Sequence, residues 1–434
     1  MLQTIRNAWK IEEIRGKMIF TLLILVLFRL GNAVPVPYVD TVLLGAFFQQ
    51  EMATTILGLY NTMSGGAFEQ ATIFALSIQP YITSSIVMQL LCVAIPALER
   101  LQKEGGEEGK KKIQKITRYG TVGLGLVMGL AYYLMLGNWE LLLPEATGFF
   151  PALIIVLTFT AGSALVMWLG EQITEFGIGN GISIILFAGI ISTFPRAIGN
   201  IVTGVFFTGE IPWWIVVLSL VGALALVVLI VIINASERKI PVQYAKRVVG
   251  RKMYGGQSTH LPMKVNMSGV LPIIFAQAIA SLPATVAIFT NPREGSFLHG
   301  MSEWFGPTSW LYLLLYSLLI IFFSYFYSQI QFNPIEVSNN LRKNGGYIPG
   351  FRPGKPTSDY LQKVMGKVVL FGALYLAFIA GVPHLVGILS PTAAATGIAL
   401  GGTSIIIVVG VAIETVKNLE NQMLMRHYKG FLEQ

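Results

Sequence analysis

Side chains able to do covalent or acid–base chemistry are few in this chain, and they do not converge. His260, His299, His384 and His427 are scattered without the spacing of metal ligands. Gly350-Phe351-Arg352-Pro353-Gly354-Lys355-Pro356 carries glycines and a lysine. A phosphate-cradling loop needs a different spacing, with Ser or Thr after the lysine where this chain has proline. Gly105-Gly106-Glu107-Glu108-Gly109-Lys110 is also misspaced and too acidic. Glu171, Glu175 and Glu414 fall near the ends of apolar runs, as interfacial anchors do, rather than mid-membrane where an ion-coupled carrier needs them. Arg29 lies inside the first apolar run near its end, where a long side chain can snorkel to the interface. The single cysteine, Cys92, excludes an internal disulfide. The sequence therefore predicts no catalytic residue, no metal and no cofactor, and any energy source must be a partner or a gradient. What it offers instead is aliphatic surface and concentrated positive charge.

The elements that carry these features are membrane spans. Hydrophobic residues make up 54% of the 434 and charged residues 12%, against roughly 25% charged in a soluble domain. Apolar runs of about 20 residues, enough to cross a bilayer, recur near 18–35, 72–96, 118–137, 149–168, 183–203, 212–235, 268–290, 309–330, 368–388 and 396–413. The fold class is thus an all-α polytopic membrane protein with ten transmembrane helices. Twenty-seven of the 30 Lys and Arg residues fall on one side of these spans; Arg196 and Arg293 fall on the other, and Arg29 within a span. Basic residues collect on the cytoplasmic side, which predicts cytoplasmic termini and basic cytoplasmic loops, a surface for acidic lipid or an acidic or nucleic-acid partner. The first run follows a basic segment, yet Pro35 and Pro37 stand where a cleavage site would be, so it reads as a retained span.

An internal repeat divides the chain. Span five begins Asn180-Gly181-Ile182-Ser183, and span ten Gly401-Gly402-Thr403-Ser404; aligning Gly181 with Gly402 also aligns Leu186 with Ile407. Five spans per half makes the halves run in opposite senses, the inverted-repeat arrangement of many transport proteins. The halves are 1–206 and 207–434, facing each other across a central path. Before span two, Thr54 to Met63 is mildly apolar but too short to cross, and Ser64-Gly65-Gly66 ends it. Such a segment is either a loop helix or backbone buried in protein at membrane depth. In span two, Ile82 and Ile86 stack on one helix face.

These blocks closely resemble the bacterial SecY family, the channel subunits of the protein-translocation machinery. The resemblance is carried in order by Ser64-Gly65-Gly66 to Ser77, Pro80 to Leu91, Gly177 to Ser183, Gln257 to Pro262 with Lys264 to Met267 at the start of span seven, Pro349 to Gly354, and Gly401 to Ser404. It implies two five-span halves around a central hourglass pore. It implies a ring of Ile82, Ile86, Ile182, Leu186, Ile274 and Ile407, with Leu186 in place of the expected isoleucine. It implies a plug over about 54–67, including Ile56, Leu57, Leu59, Tyr60, Asn61, Met63, Ser64, Gly65 and Gly66. Spans two and seven would form a lateral gate bearing Gln89, Asn266, Gln277 and Ser281, with kinks at Pro272 and Pro283. Fixed donors cannot match a chain of arbitrary side chains, whereas an aliphatic constriction yields to it and dewets when empty.

Two basic-side loops complete the reading, about 236–267 and 331–367. Ile240, Val242 and Tyr244 alternate as in a strand, Val248-Val249-Gly250 can turn the chain, and Lys252-Met253-Tyr254 can return it. The expected hairpin projects Lys246, Arg247, Arg251 and Lys252, and prolines stiffen the second loop around Arg352. The resemblance implies that these tips meet the ribosome, including ribosomal RNA near the exit tunnel, or the SecA ATPase. It also implies SecE and SecG partners, signal peptides and precursor chains as cargo, and a bacterial plasma membrane location. Two other readings stay open at this level: a secondary transporter of a small solute, and a membrane scaffold or ribosome receptor.

Overall fold

Apolar runs of this length have no stable form in lipid except a helix that satisfies its own backbone. The computed structural model describes residues 2–48, 56–146, 148–206, 209, 212–244, 247–249, 252–254, 258–290, 296–306, 309–389 and 398–432. Its first half runs α1 (Leu2–Lys10), α2 (Glu12–Gly31), α3 (Thr41–Phe47), α4 (Ile56–Ser64), α5 (Gln79–Ala94), α6 (Pro96–Lys103), α7 (Gly106–Asn138), α8 (Phe149–Phe176) and α9 (Gly181–Phe206). Then follow α10 (Trp213–Ala235), β1 (Glu237–Tyr244), β2 (Arg247–Val249), β3 (Lys252–Tyr254), β4 (Ser258–Lys264), α11 (Leu271–Ala280), α12 (Leu282–Thr290) and α13 (Phe297–Trp304). The chain ends with α14 (Trp310–Gln331), α15 (Pro334–Lys343), β5 (Gly346–Tyr347), α16 (Lys355–Leu389) and α17 (Ile398–Leu432). It is an all-α polytopic membrane protein, with strands only in two loops among the described residues.

Helix lies at each of the ten expected spans. Six, namely α7, α8, α9, α10, α14 and α16, are each long and apolar enough to cross alone. Of the other four, spans two and seven are broken, while α2 and α17 are continuous helices that carry charge close to their apolar stretches. Helix α2 carries Glu12, Glu13, Arg15 and Lys17 at its start and Arg29 near its end. Span two does not begin at 72: residues 72–78 form turns, and helix starts only at Gln79, with Pro80 in its first turn. Ala71 and Ser77 take positive φ of 42° and 48°, which breaks helix before that point. The same span bends by 105° at the junction with α6, where Pro96 follows Ile95. Span seven is two short helices meeting at Ser281: Pro283 lacks the N–H that would continue the ladder, while Pro272 starts α11 rather than kinking it. The described part of span ten has a short apolar stretch before Glu414.

Close helix packing depends on small residues. On α7, a Cβ at Gly125 would stand 3.4 Å from Thr160 Cγ2, and one at Gly129 would stand 3.2 Å from the carbonyl of Val156.

The expected hairpin is present, but longer. β2 and β3 pair antiparallel with Val249 opposite Lys252, so Lys252-Met253-Tyr254 do return along the chain, while Val248 and Val249 are strand residues of β2. The return strand of β1, however, is β4, from Glu237 opposite Lys264 to Gln243 opposite Ser258. Residues 258–264 therefore belong to a sheet of order β4-β1-β5 and not to the start of span seven. Ile240 and Val242 face inward with Met263 and share a small core with Leu341, Ile348, Leu361, Met365 and Val369. This core docks the hairpin's base onto the second loop and the start of α16.

Candidate functional site

Helix α4 is the centre of the site. It ends in a Schellman turn, in which Gly66 N–H donates to Asn61 O at 2.9 Å and Gly65 N–H to Thr62 O at 3.2 Å. Gly65 and Gly66 have φ of 75° and 85°, so the Gly-Gly pair is what lets the helix stop there. Leu57, Leu59 and Met63 are buried in one apolar cluster with Ile82, Ile86, Leu186, Ile274 and Ile407, and Ile182 packs against that cluster half-buried. Five of the six expected ring residues are thus fully buried together with α4. Ile182 sits beside α8, where a Cβ at Gly170 would be 3.5 Å from its Cγ1. Ile56 begins α4, but its side chain lies outside the described set, as do Thr54 and Thr55 altogether.

Gly189 on α9 sets the approach of α4: a Cβ there would stand 2.4 Å from the carbonyl oxygen of Met63. The sequence reading passed over it, because a glycine in an apolar span carries no sign of what approaches. Beyond the turn, Tyr132 on α7 donates its hydroxyl to Phe68 O at 2.6 Å and stacks on the Phe68 ring. Val36 N–H donates to Ala71 O at 2.9 Å, tying the following segment to the end of span one. Arg29 does not snorkel; its Nη1 donates to Gly65 O at 2.9 Å.

The four polar residues expected at the span two–seven seam divide three ways. Gln277 is buried and points Nε2 at Met63 Sδ of α4, 3.9 Å away, joined there by Gln79 Nε2 of α5 at 3.6 Å. Ser281 Oγ lies 3.0 Å from Tyr60 Oη, also on α4. Gln89 on α5 accepts from Tyr327 Oη on α14 rather than meeting α11. Asn266 precedes span seven and donates to Asn234 Oδ1 at the end of α10, 2.9 Å away. Among the described residues, then, α5 and α11 touch while their polar groups meet through α4.

On the basic side, a cavity of about 290 Å³ opens among Asn180, Asn234, Lys264, Asn266, Glu414 and Lys417. Burial pushes the Glu414 carboxyl above its ordinary pKa, against the opposing pull of Lys264. Arg352 is exposed on a turn fixed by Thr357 Oγ1 donating to its carbonyl at 2.8 Å, and Phe351 stacks on Tyr360 with centroids 4.1 Å apart. Lys246 and Arg251 lie outside the described residues; Arg247 and Lys252 are described only as positions on β2 and β3.

Fold and site together define a class: a multi-span membrane protein whose helices enclose a short helix that crosses nothing, lined by aliphatic side chains. The SecY family model matches residues 72–416, and the chain belongs to the SecY family. It is similar over its whole length to the protein translocase subunit SecY of Streptomyces scabiei, 44% identical over 442 residues and covering 100% of both. A solved SecY channel, whose plug domain stabilises the closed state and maintains a membrane seal, aligns with a TM-score of 0.62 at 18% identity, over 94% of this chain and 92% of that one. Sec61 from a canine ribosome-channel complex aligns with a TM-score of 0.58 at 16% identity, over 94% and 93%. The chain is a protein-conducting channel of the translocase and not an enzyme, and the small-solute transporter reading finds no support.

Proposed function

We propose that the chain forms a gated path in the bacterial plasma membrane between two halves, 1–206 and 207–434. Unfolded secretory chains pass outward along it, and apolar segments leave sideways into lipid. The observation that carries this is the seat of α4. A helix too short to cross a membrane is packed against α9, α12 and α17, within the apolar cluster that holds the ring candidates. A helix seated there closes a path and must move for the path to open. In this reading α4 and its Gly-Gly turn are the plug, and Ile82, Ile86, Ile182, Leu186, Ile274 and Ile407 are the constriction. The seam of α5 and α11 is the lateral gate. Gln277 and Ser281 bond α4, which couples the gate to the plug.

Orientation follows the charge bias: the termini and basic loops are cytoplasmic. Lys246, Arg247, Arg251, Lys252 and Arg352 form the docking surface for the ribosome and its RNA or for SecA, since clustered cations suit phosphate and acidic partners. Signal peptides and precursors enter by the amide-lined cavity. SecE clamps the halves and SecG accompanies them, while anionic lipid borders the basic loops.

The test is a crosslinking scan. Cys92 is replaced, and a photoreactive group is placed in turn at Ile86, Ile274, Ile407 and the lipid-facing control Leu220, with a secretory precursor arrested in mid-export. Crosslinks from the three ring positions and none from the control are expected. An engaged precursor that crosslinks to none of the three would mean the ring is core packing.

A further inference from the structure

Beside the apolar contacts of α4 stands a charged joint that the constriction does not require. Asn61, in the last turns of α4, exchanges two hydrogen bonds with Glu69. Asn61 Nδ2 donates to Glu69 Oε2, and Glu69 N–H donates to Asn61 Oδ1, each at 3.0 Å. The Glu69 side chain is only 6% exposed and forms an ion pair with Arg196 of α9. Glu69 lies on the segment that Tyr132 and Val36 pin in place. Asn61 is therefore on the movable side of the joint, Glu69 on the fixed side, and Arg196 on the wall. Asn32 Nδ2 donates to Ser64 O at 2.9 Å, and Arg29 bridges Gly65 O and Ser192 Oγ of α9. A cation at this end of α4 also meets the negative end of the helix dipole.

Arg196 is one of two basic residues that the span pattern leaves on the sparsely charged face. A carboxylate as buried as that of Glu69 is tolerated only with a partner, and removing the partner leaves an uncompensated charge. We infer that Asn61, Glu69 and Arg196 form an electrostatic latch that holds α4 shut, with a strength set by charge and independently of the aliphatic ring. The latch rests on the reading of α4 as the plug. Glu69 and Arg196 act through Asn61 as positioning residues and do not line the path.

The experiment measures idle ion conductance of the whole membrane complex in planar bilayers without precursor. Glu69→Gln, Arg196→Gln, the exchange Glu69→Arg with Arg196→Glu, and a deletion of residues 56–66 are compared. Each single variant is expected to raise idle conductance at least tenfold, and the exchange to return it to within about threefold of the parent. A lost ring contact or a general loss of stability would not be repaired by reversing the pair. Singles that stay sealed while the deletion leaks would overturn the latch and leave the plug reading standing. An exchange as leaky as either single would also overturn it. A deletion that stays sealed would overturn the plug reading and the latch with it.

Discussion

Gly189 decides how near α4 can come to α9. The atom that a side chain there would strike is the Met63 carbonyl oxygen, 2.4 Å away and part of a helix backbone, so it cannot rotate aside. Overpacking of this kind costs about 1–3 kcal/mol. Because α4 touches the wall without being covalently part of it, that cost falls on the closed arrangement. Gly189→Ala is expected to raise idle conductance by roughly tenfold, the equivalent of about 1.4 kcal/mol, while leaving insertion unchanged. Planar-bilayer recordings check it, and a sealed, normally inserted variant would mean α4 does not close the path. Tyr132 works the other way. Its hydroxyl serves the buried carbonyl of Phe68, and Tyr132→Phe leaves that carbonyl only its bond from Ala71 N–H at 3.1 Å, at a cost of about 0.5–1.5 kcal/mol. The pinned segment should loosen, seen as faster amide exchange at residues 68–73.

Among the elements, the two basic loops behave as one unit because β1, β4 and β5 share a sheet and a core with α15 and α16. Val242→Asp puts a carboxylate into that core without a partner, costing at least about 3 kcal/mol locally. The expected result is rapid proteolysis within 237–264 in membranes and loss of export, with the spans intact. Arg352→Glu changes only the exposed tip, so the loops should stay protease-resistant while motor-driven export is lost. Loop proteolysis alongside export separates a docking surface from a merely structural one. The alternation of Ile240, Val242 and Tyr244 made the strand legible, and Ser64-Gly65-Gly66 made the end of α4 legible, because both are local rules. The late start of α5 was not legible. Ala71 and Ser77 hold positive φ in a segment tied to Val36, a contact far away in sequence. Nor were the partners of Gln89 and Asn266 legible. An amide in an apolar span announces that it needs a partner, and only packing supplies Tyr327 or Asn234. The break at Ser281 was half visible: Pro283 marked a kink, while Pro272 turned out to begin a helix.

For the whole molecule, the decisive quantity is the distribution of charge across the bilayer. Twenty-seven basic residues lie to one side of the spans. Basic loops stay preferentially on the cytoplasmic side, so the proposed orientation puts these loops and both termini in the cytoplasm. The hairpin base and the exposed Arg352 turn lie on that same side, as do Lys264 and Lys417 at the cavity. The proposed mouth and the proposed docking surface therefore share one orientation. In a chain whose Cys92 is replaced by serine, single cysteines at Lys111, Lys239 and Lys363 should resist a membrane-impermeant maleimide in intact cells and react after lysis. Cysteines at Glu145 and Ser296, both exposed in the loops of the opposite face, should react in intact cells. Labelling of Lys239→Cys from outside would turn the basic tips away from the ribosome and remove the ground for a cytoplasmic docking surface. Labelling that follows the expected pattern places the amide-lined cavity on the side where chains are made, as outward export past α4 as the proposed plug requires.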